Sequence, residues 1–449
     1  MFRMQLPPVV SEILHTLQTA GHEAYVVGGC VRDSLMGKTP DDWDITTSAL
    51  PGQVKSLFLR TLDTGIQHGT VTVMLHGQGY EITTYRVDGE YEDGRHPREV
   101  TFTGSLEEDL KRRDFTINAM AYNKQDGLID LFDGRSDLEQ GVIRAVGDPR
   151  ERFSEDALRM LRAIRFAARL GFEVEAETLK AIRDLSESLS RISAERIQAE
   201  LVKLLVSPHP EKIKLCYTTS LTSVFLPEFD RVMITEQNNP HHCYTVGEHI
   251  IESICRVRAD KVLRLTMLFH DLGKPACRTT DEQGVDHFKG HPAVSAGIAA
   301  ERLGKLKFDN ATIGDVKKLT EAHDIRIEPT EKSVRRLLGK LGERLFFLLL
   351  EVQEADILAQ SMYLREQKLE RQDRVRELAE GILKRRECFA LKDLAINGSD
   401  LIRLGYDKGP VIGEQLHKLL ERVIEEPALN DRQSLLKMAA RDLGQNSGG

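Results

Sequence analysis

A pair of glycines followed closely by two alternating aspartates constrains this chain more than any other feature. The string is VVGGCVRDSLMGKTPDDWDIT, in which Gly28 and Gly29 end an apolar stretch and Asp42 and Asp44 follow. A strand that ends at such a turn and opens a helix exposes backbone N–H groups and a helix dipole, which can hold a phosphate. If DWDIT is a strand, Asp42 and Asp44 point to the same side, because side chains alternate between its faces.

Two carboxylates on one side of a strand are suitable magnesium ligands. A pair of magnesium ions can activate an attacking hydroxyl and neutralise a departing pyrophosphate, so we interpret Asp42 and Asp44 as catalytic metal ligands. The alternative is that DDWD is only an acidic turn. The preceding Gly-Gly, Arg32 and the strand-like DWDIT favour the catalytic interpretation. Glu81, in the strand-like segment YEITTYR, is a candidate third carboxylate.

The rest of the chain reads as an alternating first part and a helical second part. Strand patterns at AYVVGG, GTVTVML and YEITTYR alternate with helical ones, and from Ser154 onward the periodicity is helical. At 449 residues the chain is too long for one core. We expect four parts: a mixed α/β head at 1–147, a helical neck at 148–235, a histidine-rich helical block at 236–375 and a helical tail at 376–449.

Composition narrows the partners and the compartment. The net charge is −8, so contact with nucleic acid has to use local positive patches. The six cysteines form no CxxC pair, which fits a reducing compartment. The N-terminus has no apolar run typical of a signal peptide, and the longest apolar run, LFFLLL, is far shorter than a membrane span. We therefore expect a cytoplasmic protein that binds no membrane.

A basic helix is predicted at SEDALRMLRAIRFAARLG, with Ser154 as its N-cap. Its charged residues step by three or four positions along one face, and they are Asp156, Arg159, Arg162, Arg165 and Arg169. The pattern alone favours a first-turn acid and a solvated basic face. A carboxylate beside a guanidinium can, however, accept cytosine and adenine and reject guanine and uracil, because the first two bases share an amino donor next to a ring-nitrogen acceptor. Asp156 and Arg159, one turn apart, suit that selection.

Histidines are concentrated in one block. Seven of the 14 lie between 241 and 323, where an even spread would place about three. Burial in a core explains any single histidine. The set His249, His270–Asp271 and Asp356, however, resembles the H…HD…D pattern of HD metal-phosphohydrolases, whose imidazole and carboxylate ligands suit a divalent metal. His291 and His323 are candidates for a second metal or a phosphate contact.

In their order along the chain, the other motifs resemble the class II tRNA nucleotidyltransferases of the polymerase-β-like superfamily, which include bacterial CCA-adding enzymes and poly(A) polymerases. The matching strings are GGCVRD, DWDITTSALP, DGEYEDGRHP, RRDFTINAMAYN, DLFDG, IRAVGDPRERFSEDALRMLRAIRF, ISAERI and INGSDLI. The resemblance implies an α+β nucleotidyltransferase head with a polymerase-β-like fold, followed by an all-α neck, a body with the HD domain, and a tail.

The resemblance also implies roles for individual residues. It assigns Asp156 and Arg159 to base selection, and Asp114 and Asn118 to the nucleotide sugar and the local scaffold. The residues implied in nucleotide binding are Gly29, Arg32, Arg113, Asp156, Arg159, Arg162 and Arg165. In the tail, the turn before the helix start in GYDKGPVIGEQL is a candidate contact to the tRNA backbone.

The implied function is template-independent addition and repair of the 3′-terminal CCA of tRNA, using CTP, ATP and Mg²⁺, with no obligate protein partner. A poly(A) polymerase is an alternative, although those relatives often carry long basic extensions and this tail ends DLGQNSGG. A CC-adding enzyme is disfavoured because the loop DGEYEDGRHP, associated with the switch to ATP, is complete. A phosphohydrolase with a degenerate transferase conflicts with the intact DxD, RRD and EDxxR motifs. A non-catalytic RNA-binding protein would leave the paired carboxylates unused.

Overall fold

The computed structural model of the chain describes residues 3–88, 100–241 and 243–446. It divides into two compact units, the first comprising Met1–Asp230 with Lys305–Phe308 and the second Arg231–Gly304 with Asp309–Gly449. The boundaries predicted at 147 and 375 fall inside these units, and the four-part division stays a prediction. Most of the loop DGEYEDGRHP lies outside the described residues, as does His242.

The first unit is built on a mixed sheet with the strand order β3-β4-β5-β2-β1-β8-β9. Its strands are β1 (Ala24–Val27), β2 (Ile45–Thr47), β3 (Thr61–Gly65), β4 (Thr70–Leu75), β5 (Gln78–Thr84), β8 (Met120–Asn123) and β9 (Gly127–Asp130). Shorter pairs are formed by β6 (Arg86–Asp88) with β7 (Val100–Phe102) and by β10 (Val142–Ile143) with β11 (Glu173–Val174). Within the main sheet, β2 and β5 pair in parallel and the other neighbours are antiparallel. The strands predicted at AYVVGG, GTVTVML and YEITTYR are confirmed as β1, β4 and β5.

The prediction that Asp42 and Asp44 lie on a strand is wrong. Strand β2 begins only at Ile45, which pairs with Val26 of β1. Before Ile45, a further hydrogen bond between the two segments runs from the Val27 N–H to the Asp44 carbonyl at 3.0 Å. The ladder stops there because β1 ends at the Gly-Gly turn and offers no further partner. The two aspartates therefore lie in the segment that leads into β2.

The first unit contains helices before and between its strands and a helical segment after them. They are α1 (Pro8–Thr19), α2 (Gly29–Leu35), α3 (Pro51–Leu57), α4 (Leu106–Lys111), α5 (Gly134–Gln140), α6 (Pro149–Glu155), α7 (Leu158–Leu170), α8 (Ala176–Leu185), α9 (Ala194–Leu205), α10 (Ile213–Thr218), α11 (Thr222–Phe225) and α12 (Pro227–Met233). Helix α1 starts with a proline in its first turn and buries Val10, Ile13, Leu14 and Leu17, which share one face. That face packs in one core with residues of β1 and of β2, the strand that follows Asp44.

The helix predicted at SEDALRMLRAIRFAARLG is two helices, and Ser154 is not an N-cap. Helix α6 is capped by Asp148, so Ser154 lies inside it, and the chain leaves the helical conformation at Asp156, where φ is −140° and ψ is 102°. Helix α7 then starts at Leu158, whose N–H donates to the Asp156 carboxylate at 3.0 Å. Asp156 therefore lies in a break between two helices and not in the first turn of a helix, and its carboxylate accepts from the first N–H of α7.

The second unit is helical, as predicted, apart from a hairpin of two short strands, β12 (Thr279–Thr280) and β13 (Asp286–His287). Its helices are α13 (Val246–Arg256), α14 (Lys261–Phe269), α15 (Lys274–Cys277), α16 (His291–Lys305), α17 (Asn310–Ala322), α18 (Glu331–Leu341), α19 (Glu343–Ala359), α20 (Arg365–Lys384), α21 (Gly398–Arg403), α22 (Pro410–Glu425) and α23 (Arg432–Asn446). The last helices have a core of their own that includes Leu401, Leu419 and Leu435. Within the described residues, no helix has both the length and the apolar character needed to cross a membrane.

Candidate functional site

The Gly-Gly turn of the first unit lies against two arginine side chains. Gly28 has φ +79°, and a Cβ added to it would lie 3.1 Å from Nη1 of Arg113. A Cβ on Gly29 would lie 3.7 Å from Nη2 of Arg32. The missing side chain at Gly28 therefore leaves room for a guanidinium beside the start of α2, and two of the predicted nucleotide-binding arginines meet at the turn.

A buried carboxylate that the sequence analysis did not single out holds the RRD arginines. Asp109 is fully buried and accepts hydrogen bonds from Arg112 at 2.7 and 3.0 Å, and Arg113 lies 3.4 Å from its other oxygen. The Thr46 hydroxyl on β2 donates to the same carboxylate at 3.0 Å. Asp109 thus ties both arginines to the strand that follows Asp44. Its spacing of three and four residues from the two arginines is a signal that the sequence does carry.

A chain of hydrogen bonds connects Arg32 to the basic helix. Arg32 donates to the side-chain oxygen of Asn118 at 2.6 Å, and the Asn118 amide donates to Asp114 at 3.1 Å. Asp114 accepts two hydrogen bonds from Arg162, at 2.6 and 3.0 Å. Burial alone would raise the pKa of Asp114, but Arg162 and Asn118 lower it to about 2. Asp114 is therefore ionised at neutral pH and accepts hydrogen bonds from both Asn118 and Arg162.

Asp44 directly precedes β2, the central strand of the sheet, and lies near Arg112 and Arg113, while Asp42 lies near Asp44. Surrounding protein atoms raise the pKa of Asp44, Arg113 lowers it and Asp42 raises it, with a net rise, although the residue is accessible to solvent. A cavity of about 220 Å³ is lined by Asp44 together with Arg112 and Arg113. Two neighbouring carboxylates favour a bound cation, and oxygen ligands suit magnesium. Glu81 on β5 directly precedes Ile82, which pairs with Ile45, the residue after Asp44.

The predicted base-selecting residues are near each other in the chain but hold different partners. Asp156 accepts from Arg196 on α9 at 2.7 Å, while Arg159 donates to Glu155 and to the carbonyls of Arg152 and Arg112. Part of the basic face is buried, because Arg159 and Arg165 are buried, whereas Arg169 is exposed. Arg165 pairs with the buried Glu200 at 2.8 Å, a contact over 35 residues of chain that no local pattern indicates. The sequence thus predicted the helical character of this segment, but not its division into two helices or the partners of its charged residues.

In the second unit, four histidines and two aspartates converge on one buried point. We call them the His–Asp cluster, and its members are His249, His270, Asp271, His291, His323 and Asp356. Nε2 of His249 lies 2.8 Å from Asp356 and 3.2 Å from Nε2 of His270. Nε2 of His291 lies 3.1 Å from Oδ1 of Asp271 and 3.2 Å from Nε2 of His323. The cluster contains every predicted ligand of the HD pattern together with His291 and His323.

Backbone carbonyls orient all four imidazole rings. Nδ1 of His270, His291 and His323 contacts the carbonyl of the residue three positions earlier at 2.7 to 2.8 Å, and Nδ1 of His249 contacts the Ala359 carbonyl at 3.3 Å. A carbonyl can only accept, so Nδ1 carries the proton and Nε2 of a neutral ring offers a lone pair to the centre. Metal-binding histidines are oriented by this kind of contact.

The electrostatics of the cluster also favour a cation. Burial lowers the pKa of His270, but Asp271 and Asp356 raise it to about 10. Both oxygens of Asp271 are buried, and the Lys274 ammonium lies 2.7 Å from one of them. The candidate ligands form two groups. One contains His249, His270 and Asp271, and the other contains Asp271, His291 and His323, so Asp271 belongs to both. This donor set of imidazoles and carboxylates fits one or two divalent transition metals.

Family models match three parts of the chain. A model described as the poly A polymerase head domain matches residues 24–144, and one described as "Probable RNA and SrmB- binding site of polymerase A" matches 171–233. A model of tRNA nucleotidyltransferase domain 2 matches 294–439, which crosses the predicted boundary at 375. The first match contains Asp42, Asp44 and Arg113, and the third contains His323 and Asp356.

Individual relatives match over different lengths. The CCA-adding enzyme of Lactiplantibacillus plantarum is 55% identical over 213 residues, which are 47% of this chain and 52% of the relative, so this match spans about half the length of that protein. The CCA-adding enzyme of Limosilactobacillus fermentum is 37% identical over 433 residues, 95% of each protein. The crystal structure of the Bacillus stearothermophilus CCA-adding enzyme in complex with CTP superposes with a TM-score of 0.73 at 29% identity, over 99% of both chains. With a polymerase head, a helical remainder and a relative similar from end to end, this chain belongs to the family of CCA-adding enzymes.

Proposed function

We propose that this protein adds the 3′-terminal CCA to tRNA, using CTP and ATP and releasing pyrophosphate. The observation that supports the proposal is the meeting of Arg32, Arg113 and Asp44 at the Gly-Gly turn, since guanidinium groups suit anionic phosphates and a carboxylate suits a cation. Magnesium held by Asp42 and Asp44 would supply activation of the tRNA hydroxyl and charge neutralisation at the leaving pyrophosphate. Relatives of this family are named as CCA-adding enzymes, and one was solved with CTP, which supports these substrates.

The chain's own residues then have separate tasks. Arg32 and Arg113 hold the triphosphate, and Asp109 positions Arg113 for it. Arg162 keeps Asp114 charged, and Asp114 with Asn118 orients the sugar side of the nucleotide. Asp156 and Arg159 select the base after each exchanges a protein partner for an edge of cytosine or adenine. Exchange requires Asp156 to release Arg196, so binding of the base and local rearrangement are coupled.

Labelled-nucleotide addition tests this function. A tRNA that lacks its last three nucleotides is incubated with each labelled nucleotide triphosphate, singly and together, with wild type, Asp44→Ala and the neighbouring exposed Asp41→Ala as the control. We expect CTP to add alone, ATP to add only after CTP, and Asp44→Ala to lose about a thousandfold or more in rate. Addition of C residues but no A when CTP and ATP are supplied together would identify a CC-adding enzyme, and long ATP-only products would identify a poly(A) polymerase. Retention of activity within about tenfold by Asp44→Ala would refute the role of this carboxylate.

We propose a second activity, metal-dependent phosphoester hydrolysis at the His–Asp cluster, acting on tRNA ends that carry a phosphate or a cyclic phosphate. The supporting observation is the convergence of four imidazole nitrogens and two carboxylates in a buried centre. A divalent metal bound there would supply an activated water and charge stabilisation for the phosphate. Removing a terminal phosphate restores the hydroxyl that CCA addition needs, which links the two activities chemically.

The test compares wild type with His270→Ala and with the double substitution at His270 and Asp271. Metal content of the purified protein and hydrolysis of a cyclic-phosphate RNA are measured, and CCA addition reports that the protein is folded. We expect metal and hydrolysis to disappear while nucleotide addition persists, because the two sites use different residues. If wild type holds no metal under several divalent-ion conditions and hydrolyses nothing, the cluster is structural.

A further inference from the structure

The His–Asp cluster forms the floor of a cavity of about 740 Å³ in the second unit. Asp271, His291, His323 and Asp356 all line it, so the cluster is open to a ligand on this side. Small-molecule sites range over about 300 to 1,000 Å³, a size that accommodates one nucleotide but not a folded RNA. The cavity therefore restricts a substrate to a single terminal nucleotide or a free one.

One face of helix α20 forms a wall of this cavity, and we call it the α20 wall. It consists of Lys368, Arg371, Gln372 and Val375, whose spacing of three and four positions places them on one side of the helix. Lys368 donates to the Gln360 side chain, and Gln360 donates to Asp356 at 2.9 Å. The ammonium group is thus joined through a single glutamine to a predicted metal ligand.

The two cations of this wall have no carboxylate at ion-pair distance among the described residues. Arg371 makes no ion pair with any described residue, and Lys368 contacts only the neutral groups of Gln360 and His241. Burial lowers the pKa of Lys368; Asp356 opposes this, and Arg365 and Arg371 lower it further. Four acids line the cavity. Asp286 pairs with Arg278 at 2.9 Å and Asp271 with Lys274 at 2.7 Å, whereas Asp356 and Asp324 act on Lys368 only from beyond ion-pair distance. An anion placed beside the wall would relieve this concentration of cations.

We propose that the cavity binds a phosphate ester of nucleotide size, with Lys368 and Arg371 holding its phosphate oxygens above the His–Asp cluster. The inference rests on the hydrolase activity proposed for that cluster and adds the chemical class of its ligand. A guanidinium and an ammonium on one helix face suit a phosphate carrying two negative charges, because each forms charge-assisted hydrogen bonds with its oxygens. The ester is either a free nucleotide or the phosphorylated end of an RNA, which present the same group.

Binding measurements on the full-length protein test the proposal without using hydrolysis. Calorimetric titration is done with adenosine 5′-monophosphate and, separately, with an acceptor-stem RNA hairpin ending in a 3′-phosphate, referenced to the same hairpin ending in a hydroxyl. The proteins are wild type, Lys368→Gln with Arg371→Gln, and a control, Arg374→Gln. Arg374 lies on the same helix but is exposed and pairs with Glu377 at 2.9 Å. Glutamine removes the charge but keeps a polar side chain of similar helix propensity, so we expect α20 to be preserved.

We expect the double variant to lose about thirtyfold or more in affinity for at least one phosphate-bearing ligand, because two charge-assisted hydrogen bonds are removed. The control should stay within about threefold of wild type on the same scale. Loss with both ligands assigns free nucleotides and RNA ends to the site, and loss with the hairpin alone assigns RNA ends. Affinities within about threefold of wild type for both ligands would overturn the proposal. Metal content, measured in parallel, separates failure of this proposal from failure of the proposed hydrolase. If the double variant loses ligand affinity but wild type holds no metal, the anion site is supported and the metal-dependent hydrolase is refuted.

Discussion

Replacing Gly28 by alanine tests whether the position of Arg113 limits nucleotide addition. Gly28 has φ +79° and ψ −127°, a conformation that L-residues avoid, and its absent Cβ would lie 3.1 Å from Nη1 of Arg113 and 3.6 Å from the Asn118 carbonyl oxygen. Alanine therefore introduces two perturbations, backbone strain and a displaced guanidinium. Arg113 has little room to move elsewhere, because Asp109 holds it from the other side.

The structure gives the size of each effect. A non-glycine residue in this backbone region costs about 1–3 kcal/mol of stability. The close contact requires Arg113 to shift by a few tenths of an ångström. Because a misplacement of about 1 Å near a reacting group can reduce a rate by about a hundredfold, we expect a loss of roughly tenfold in kcat/KM for CTP.

Gly21→Ala is the matched control. Gly21 has φ +88°, so alanine there is strained as well, but no heavy atom lies within 4 Å of the added Cβ. Single-turnover CTP addition and thermal unfolding are measured for both variants. We expect similar losses of stability and a rate loss confined to Gly28→Ala. Equal rates in two equally destabilised variants would show that the turn has only a conformational role and that Arg113 does not depend on it.

Three further predictions concern other parts of the molecule. Asp114→Asn should lower the free energy of unfolding of the first unit by about 2 kcal/mol at pH 7, because the folded-state pKa of Asp114 is about 2 against an ordinary value of 3.8. This contribution is present above the ordinary value and is lost as the pH falls from 3.8 towards 2, so urea titrations at several pH values should show the gap closing; a gap that widens in acid contradicts the assignment. Asp156→Ala and Arg159→Ala should raise misincorporation of UTP and GTP relative to CTP and ATP, and a uniform rate loss with unchanged selectivity would make both residues structural. His291→Ala should reduce bound metal from two equivalents to one, because the two ligand groups share only Asp271, and emission spectrometry that finds the wild-type metal content in this variant would exclude the second metal position.

The sequence predicted the elements of the head better than their ends. The apolar runs and glycines identify β1, β4 and β5, because alternation reports which residues face a core. Where β2 begins depends on where its neighbour β1 stops, so Asp44 lies outside the strand although its local pattern is strand-like. The break at Asp156 has a similar cause. Its carboxylate is shared between the Leu158 N–H and Arg196, and the second partner is 40 residues away.

Candidate ligands were more predictable than the contacts that hold them. The H…HD…D spacing identified His249, His270, Asp271 and Asp356, since chemistry of this kind requires particular residue types. Which ring nitrogen faces the centre depends on backbone carbonyls that only the folded helices supply. Asp109 shows the reverse case, because a common acid in a charged helix becomes a central group only once burial removes it from solvent.

The four imidazole rings of the cluster differ in when their orientation can be established. His270, His291 and His323 each contact a carbonyl three residues earlier, so a single turn of chain is sufficient to orient the ring. His249 instead contacts the carbonyl of Ala359, 110 residues away on the helix that carries Asp356. A folding intermediate with formed helices but loose packing would therefore keep three rings oriented and lose the fourth. The Nδ1 proton resonance of His249 in such a state would report the docking of α13 on α19, while the resonances of the other three would report only their own turns.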